Sequence, residues 1–479
     1  KFFLLVATPL LVPSSSTAAT SFRVLRDEEA WDFYGCDKIA DAAVTPGNDP
    51  NNNPACMCGF LKDQLEAPPS GIAEAEFLTF GYPAECSSDG YAGPFPCKNV
   101  DLLLHMPLSV FNASAANDIW GWTDVSTGRE FALLCLKEGT AFVEITNTTN
   151  PVFLGTLPTQ TVDSFWRDVK VHNDHAFIVS EAKNHGMQVF DLKQLLTVDS
   201  SDGPVTFENT AFYDKDVKNA HNIVINEDTG FAYIVGGKNS CDGGLHMVDI
   251  SNPIEPIKAG CYGADNYTHD AQCVIYDGPD SRYLGQEICF AANADTITIV
   301  DVTNKTNPIQ LSRTGYKDEG YTHQGWLSPD KKYFVFGDET DEKKYGHNTK
   351  ILVMDVQDLQ NATLAGYYLG PSKAIDHNLY IIDDLVYLAS YRAGMRILRI
   401  KDYATADFEE IGFFDVYPDD DDPSYNGVWS VYPYFPSGTI IASGIESGLF
   451  VLSTQETTTT INTTGTDVPL SRRTQLRRR

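Results

Sequence analysis

The stretch His221–Tyr262, "HNIVINEDTGFAYIVGGKNSCDGGLHMVDISNPIEPIKAGCY", decides the fold. "HNIVIN" and "FAYIVG" are short runs of β-forming residues around the turn "EDTG", whose Asp and Gly suit a tight reversal. The loop "GKNSCDGG" leads to a third run, "LHMVDI", and "PIKAGCY" completes the unit. Connectors this short impose antiparallel pairing, so the stretch reads as one four-stranded antiparallel sheet.

The unit recurs. Third-strand segments stand at "AFVEI" (141), "MQVFDL" (187), "LHMVDI" (245), "ITIVDV" (297) and "ILVMDV" (351), followed by the degenerate "MRILRI" (395) and "LFVLST" (449). Their aligned positions, Glu144, Asp191, Asp249, Asp301, Asp355, Arg399 and Leu452, repeat at about fifty residues. Seven such sheets predict an all-β fold, a seven-bladed β-propeller with four-stranded blades over 99–455. The last copy shows only "VWSVYPYF", "TIIASG" and "LFVLST"; the N-terminal strand "NVDLLLHMPL" (Asn99–Leu108) supplies its outer strand and closes the ring. Closure removes two edges that would otherwise invite pairing with other chains.

Outside the ring, 1–21 reads as a signal peptide, 22–98 as a Cys-rich, disulfide-stapled N-terminal extension, and 456–479 as a Thr-rich disordered tail with a basic end. Six N-x-[ST] sequons, at Asn112, Asn147, Asn266, Asn304, Asn361 and Asn462, and ten cysteines agree with an oxidising, secretory route. Cys86–Cys97, Cys241–Cys261 and Cys273–Cys289 are expected to pair, each closing a short loop; the partners of Cys36, Cys56, Cys58 and Cys135 stay open. Cys56-Met57-Cys58 reads as part of a disulfide staple, since no second CxC or CxxC completes a metal site.

A net charge of −30 and a pI near 4.5 argue against nucleic acid or an anionic membrane as partner, both of which need a basic face. No later stretch approaches the ~18 continuous apolar residues of a membrane span. The chain is expected to be a secreted or cell-surface monomer whose ligand is a small molecule, a glycan or a protein.

The strands "VDISNP" and "VDVTNKTNP" resemble the LVIVD repeat. The run "PCKNVDLLLHMPL", "NDIWGWTD", "KNSCDGGLHMVDISNP", "YTHDAQCVIYDGPD" and "YTHQGWL" resembles the choice-of-anchor B family over roughly residues 85 to 455. That resemblance implies a secreted or surface propeller with a variable C-terminal attachment, and it implies no particular activity. Here a Thr-rich stalk and a basic end stand where such an attachment would be.

Aligning the opening strands puts Trp120, Arg167, His221, His269, His323, His377 and Trp429 at one position, so four successive blades present histidine. The following residues are Asn222, Asp270, Gln324 and Asn378. If this strand is innermost, the histidines converge on the central channel. Loops returning to the same end carry Glu181, Lys238, Asn293, Asp338, Glu339, Arg392 and Glu446. Imidazoles and carboxylates in one concavity suit a transition-metal ion, of Zn or Fe/Mn type. Arg167 and Arg392 suit a small anion, with Glu181, Asp338 and Glu446 lining the same cofactor or ligand site. The same histidines also suit hydrogen-bonded ties between blades, because imidazole offers one donor and one acceptor.

Other chemistries find less support. Ser180 and Ser443 lack a G-x-S-x-G setting. Asp338 and Glu339 are adjacent on a strand end and should point apart, unlike a glycosidase pair. "NEDTG" and "DGPD" do not follow the calcium-loop spacing. The expectation is a binding or adhesion module with a His-lined metal or small-anion site; the alternative is a metal-dependent hydrolase or lyase using the same site.

Overall fold

The computed structural model describes residues 83–455 except 200 and 202. The proposed signal peptide, Cys36, Cys56, Cys58, Asn462, the tail and all of the extension before residue 83 lie outside the described residues. Within them, the decisive stretch folds as Asn222–Asn226, Phe231–Val235, Leu245–Asp249 and Ile257–Tyr262, paired antiparallel in chain order. Seven such sheets form a β-propeller. Blades 1 to 7 begin on the strands Ala116–Asp124, Arg167–His172, Asn222–Asn226, Asp270–Ile275, Thr322–Leu327, Leu379–Ile382 and Val428–Tyr432. First strands of neighbouring blades lie against one another, so they form the inner wall.

The ring closes as the sequence predicts. Val100–Met106 pairs antiparallel with Gly448–Thr454 as the outer strand of blade 7, with Leu102 opposite Leu452 and His105 opposite Phe450. The His105 ring also stacks on Phe450 at 4.3 Å between centroids.

Two blades exceed four strands. The hairpin Tyr91–Ala92/Phe95–Lys98 extends blade 6, with Cys97 opposite Phe414. Val205–Thr206 pairs in parallel with Val152–Pro158 at the edge of blade 1. Both additions are too short to show a period of two, and both cover an edge that would otherwise present unpaired backbone.

Apolar side chains from facing sheets make the core between blades. Blades 4 and 5 meet through Phe290, Ile299, Phe334, Phe336 and Leu352, and Phe290 stacks on Phe334 at 5.6 Å. Full burial of such a side chain contributes roughly 1.5–3 kcal/mol. All three expected disulfides form.

A bulge recurs in the inner strands. In blade 5, Thr322 opposes Asp338 and Gly325 opposes Phe336, so His323 and Gln324 together face Gly337. In blade 1, Ala116 opposes Leu136 and Ile119 opposes Leu134, which sets Asn117 and Asp118 against Cys135. A bulge re-aims the doubled residues, here towards the channel. It also explains Cys135, an unpaired and buried thiol at a position where the ring takes a small side chain.

Candidate metal centre

The bulges give the channel three levels. The first holds Asn117, Arg167, His221, His269, His323, His377 and Trp429; the register places Asn117 in blade 1 where sequence alignment put Trp120. The misplacement came from matching Trp120 with Trp429, whereas Trp120 belongs three residues deeper.

The second level, one residue on, links the blades. The Ile223 amide donates to Asp168 Oδ2 at 2.7 Å. Gln324 accepts from the Leu379 amide at 2.9 Å and donates to the Leu379 carbonyl at 3.1 Å. Asn222 Nδ2 donates to the His269 carbonyl at 3.1 Å. Lys170 bridges Asp118 at 3.2 Å and Asp168 at 2.5 Å. In the third level Trp120 meets Tyr380 at 5.7 Å and Tyr432 at 5.0 Å, and Trp326 meets Tyr380 at 5.2 Å, so aromatic rings cross the channel below the polar levels.

Inter-blade links come from the residues after His221, His323 and His377, and also from one nitrogen each of His221, His269 and His377. The four imidazoles form a contiguous arc, with centroid separations of 4.2 Å for His221–His269, 4.4 Å for His269–His323 and 4.2 Å for His323–His377. All four are buried.

Each ring has its own surroundings. His221 Nδ1 pairs with Glu181 Oε1. His269 Nδ1 bonds the Tyr321 hydroxyl at 2.8 Å, with the Tyr267 hydroxyl at 3.4 Å, and its Nε2 has no hydrogen-bond partner. His377 Nδ1 donates to the Trp429 carbonyl. A carbonyl only accepts, so this bond fixes the proton on Nδ1 and turns the Nε2 lone pair outward. Glu339 lies between two rings: Oε1 is 3.6 Å from His377 Nε2 and Oε2 is 3.6 Å from His323 Nε2. The Tyr391 hydroxyl donates to Glu339 Oε1 at 2.7 Å. His323 Nδ1 has no partner.

Burial first, and mutual repulsion among the rings second, push His269 and His323 well below the usual imidazole pKa. Burial likewise lowers His377 to about 3. His269, His323 and His377 are therefore neutral, the form that ligates metal. His269, His323 and Glu339 each offer a ligand atom, all within 4.8 Å of one another. Two atoms bound at ~2.0–2.1 Å on a tetrahedral ion stand about 3.4 Å apart, so the 3.6 Å separations are near a shared-ion geometry. Imidazole nitrogens with one carboxylate suit Zn, Fe or Mn.

Of the other residues singled out from sequence, Glu181 reaches the arc through His221. Asp338 does not: it accepts from the Tyr316 hydroxyl at 2.7 Å and the Tyr321 amide at 2.6 Å, while its neighbour Glu339 turns inward. Glu446 accepts from Asn426 at 2.8 Å and the Gly427 amide at 3.0 Å. Arg167 bonds Thr159 at 2.8 Å, His185 at 2.8 Å and the Leu136 carbonyl at 3.2 Å. Arg392 bonds Asn426 and reaches Asp420 at 2.8 Å. Ser180 Oγ donates to the Trp166 carbonyl at 2.9 Å. Sequence reasoning gave no site role to Tyr267, Tyr321 or Tyr391. The first two had a signal, since both "YTH" copies place Tyr two residues before the histidine.

A family model described as LVIVD repeat matches residues 218–263 and 288–314, which are blade 3 and most of blade 4. The chain carries LVIVD repeats on a propeller. No curated protein matches the chain. Among solved structures, Kuenenia stuttgartiensis hydrazine synthase overlaps at 13% identity and a TM-score of 0.44, over 68% of this chain and 92% of that one. The Myceliophteria thermophila Cps50 (Swd1) β-propeller domain overlaps at 8% identity and 0.44, over 71% and 97%. A protein from Lactobacillus plantarum overlaps at 12% identity and 0.44, over 69% and 89%. Overlaps this loose carry nothing about function.

Proposed function

We propose that this LVIVD-repeat propeller is a secreted or cell-surface glycoprotein, a binding or adhesion module with a transition-metal ion at the channel. The ligands are His269, His323 and Glu339, joined by His377. The observation that carries the reading is the buried, unpartnered His269 Nε2, beside a His323 Nε2 and a His377 Nε2 that each stand 3.6 Å from a Glu339 oxygen. A purely structural histidine would have both nitrogens satisfied, since a buried polar atom without a partner costs about 1–3 kcal/mol. Tyr321 on His269 and Tyr391 on Glu339 orient the ligand groups from behind.

Three disulfides support an oxidising compartment. No helix among the described residues is long and apolar enough to cross a membrane. The sequons at Asn112, Asn147, Asn304 and Asn361 are exposed and so accessible to glycosylation. The ligand is a small molecule, a glycan or a protein group with an oxygen or nitrogen donor for the ion.

Metal-dependent hydrolysis or lyase chemistry is the second reading, favoured by Asp270, next to His269, whose carboxyl burial pushes up to about 7. When bound, the ion would supply Lewis acidity; Asp270, next to the ligand His269, is the group that would hold or release a proton. The test is elemental analysis of secreted, untagged protein beside the double variant His269→Ala/His323→Ala. The proposal expects one more transition-metal ion per chain in the parent than in a folded variant; equal content in both would refute it.

A further inference from the structure

Beside the histidine arc, blades 5 and 6 bury a second group of acids. The connection after Tyr333–Asp338 carries the short helix Asp341–Tyr345, and both Asp341 and Glu342 are buried. Asp376 reaches the same place from the segment preceding the inner strand of blade 6, and it is 0% exposed. Three carboxylates thus meet one ammonium, Lys350, which pairs with Asp341. The Lys350 amide donates to Glu342 Oε1 at 3.2 Å. His347 Nε2 is 3.5 Å from Asp341 Oδ2.

The second observation concerns Asp376. Its one hydrogen-bond partner is the neighbouring Glu342 carboxyl, a bond that needs a proton on one of the two; no N–H or hydroxyl among the described residues donates to either Asp376 oxygen. Asp376 Oδ2 occupies space left by Gly337, where a Cβ would lie 1.8 Å from that oxygen. Gly337 is the residue opposite the His323–Gln324 bulge, so the fold makes room for a carboxylate whose only partner is another carboxyl. A buried pair of carboxyls is stable only if it shares a proton or faces a cation.

We propose that Asp341, Glu342 and His347, with Asp376 as a further oxygen ligand, bind a divalent cation of the hard type, calcium or manganese, distinct from the ion of the histidine arc. Asp341, Glu342 and His347 each offer a ligand atom within 4.8 Å of the others. Oxygen-dominated sites select hard cations, and the one imidazole shifts preference towards manganese. The cation would fasten blade 5 to blade 6 one residue from His377 and two from Glu339.

The test uses the secreted full-length protein, stripped with chelator and titrated calorimetrically with CaCl2 or MnCl2, in the parent, His269→Ala/His323→Ala, Asp376→Asn, Glu342→Gln and His347→Gln. The arc variant should retain one calcium or manganese site, whereas Asp376→Asn and Glu342→Gln each weaken it at least tenfold. His347→Gln should weaken manganese and spare calcium if the site favours manganese. Neither ion binding the folded arc variant, or unchanged binding in both carboxylate variants, would overturn the proposal. So would tighter folding of Asp376→Asn with no ion bound to the parent, which would show that Glu342 and Asp376 share a proton. Loss of arc metal with this site intact would separate the fate of the two sites.

Discussion

Glu339 Oε1 stands 3.6 Å from His377 Nε2, and that nitrogen has no proton to offer. Its ring donates from Nδ1 to the Trp429 carbonyl, and burial keeps the imidazole neutral. A lone pair therefore faces a carboxylate in a low-dielectric interior, an unfavourable pairing unless a cation joins them.

Replacing Glu339 with Gln keeps the shape and the Tyr391 contact but removes the charge. Transition-metal affinity should fall more than the 10–100-fold typical of an outer hydrogen-bond partner. Tyr321→Phe, which removes such a partner from His269, should fall within that range. Competition with a chromogenic chelator measures both; equal affinities in parent and Glu339→Gln would remove Glu339 from the ligand set.

Gln324 should act on stability instead. Its amide satisfies both the N–H and the carbonyl of Leu379 in the next blade. Gln324→Ala leaves two buried backbone groups unpaired, at a cost of about 2–6 kcal/mol. Equilibrium denaturation should show that loss while elemental analysis shows unchanged metal. A change in metal with no change in stability would reverse the division between the two levels.

The closing blade should be acid-sensitive. Burial lowers His105 to about 4, and its Nε2 donates to the Ser447 carbonyl at 2.8 Å. Because the folded pKa lies below the unfolded value of 6.5, protonation favours the unfolded chain. Stability is complete above about pH 6.5 and declines as pH falls towards 4, by about 2 kcal/mol at pH 5 for this group alone. Denaturation at pH 7 and pH 5 should show a smaller difference for His105→Gln than for the parent. An identical difference would exclude His105 as a source.

Deleting residues up to Met106 should open the ring, since Val100–Met106 is the partner of Gly448–Thr454. The exposed strand edge should yield aggregates in place of a monomer on size-exclusion chromatography. A stable monomer would show that the closing strand is dispensable.

The repeat made the architecture readable because each blade restates the same turn and strand chemistry. Even the closing strand was visible, through the parallel between "NDIWGW" and "NGVWSV". The histidine arc was readable for a related reason: His221, His269, His323 and His377 open four successive blades in one register. Blade 1 misled because Asn117 carries no imidazole and the tryptophans offered a better visual match. Glu339 was harder to rank above Asp338, since adjacent carboxylates have the same composition and only the fold shows which one turns to the channel. The acids at Asp341, Glu342 and Asp376 were invisible as a group, because 34 residues separate Glu342 from Asp376 and nothing in sequence predicts the space at Gly337.

The most direct measurement is anomalous diffraction from crystals of secreted, untagged protein, recorded at the absorption edge of whichever transition metal elemental analysis finds. The account predicts an anomalous peak within bonding distance of His269, His323 and Glu339. Clear density for all three side chains with no peak between them, or a peak held by other residues, would contradict it.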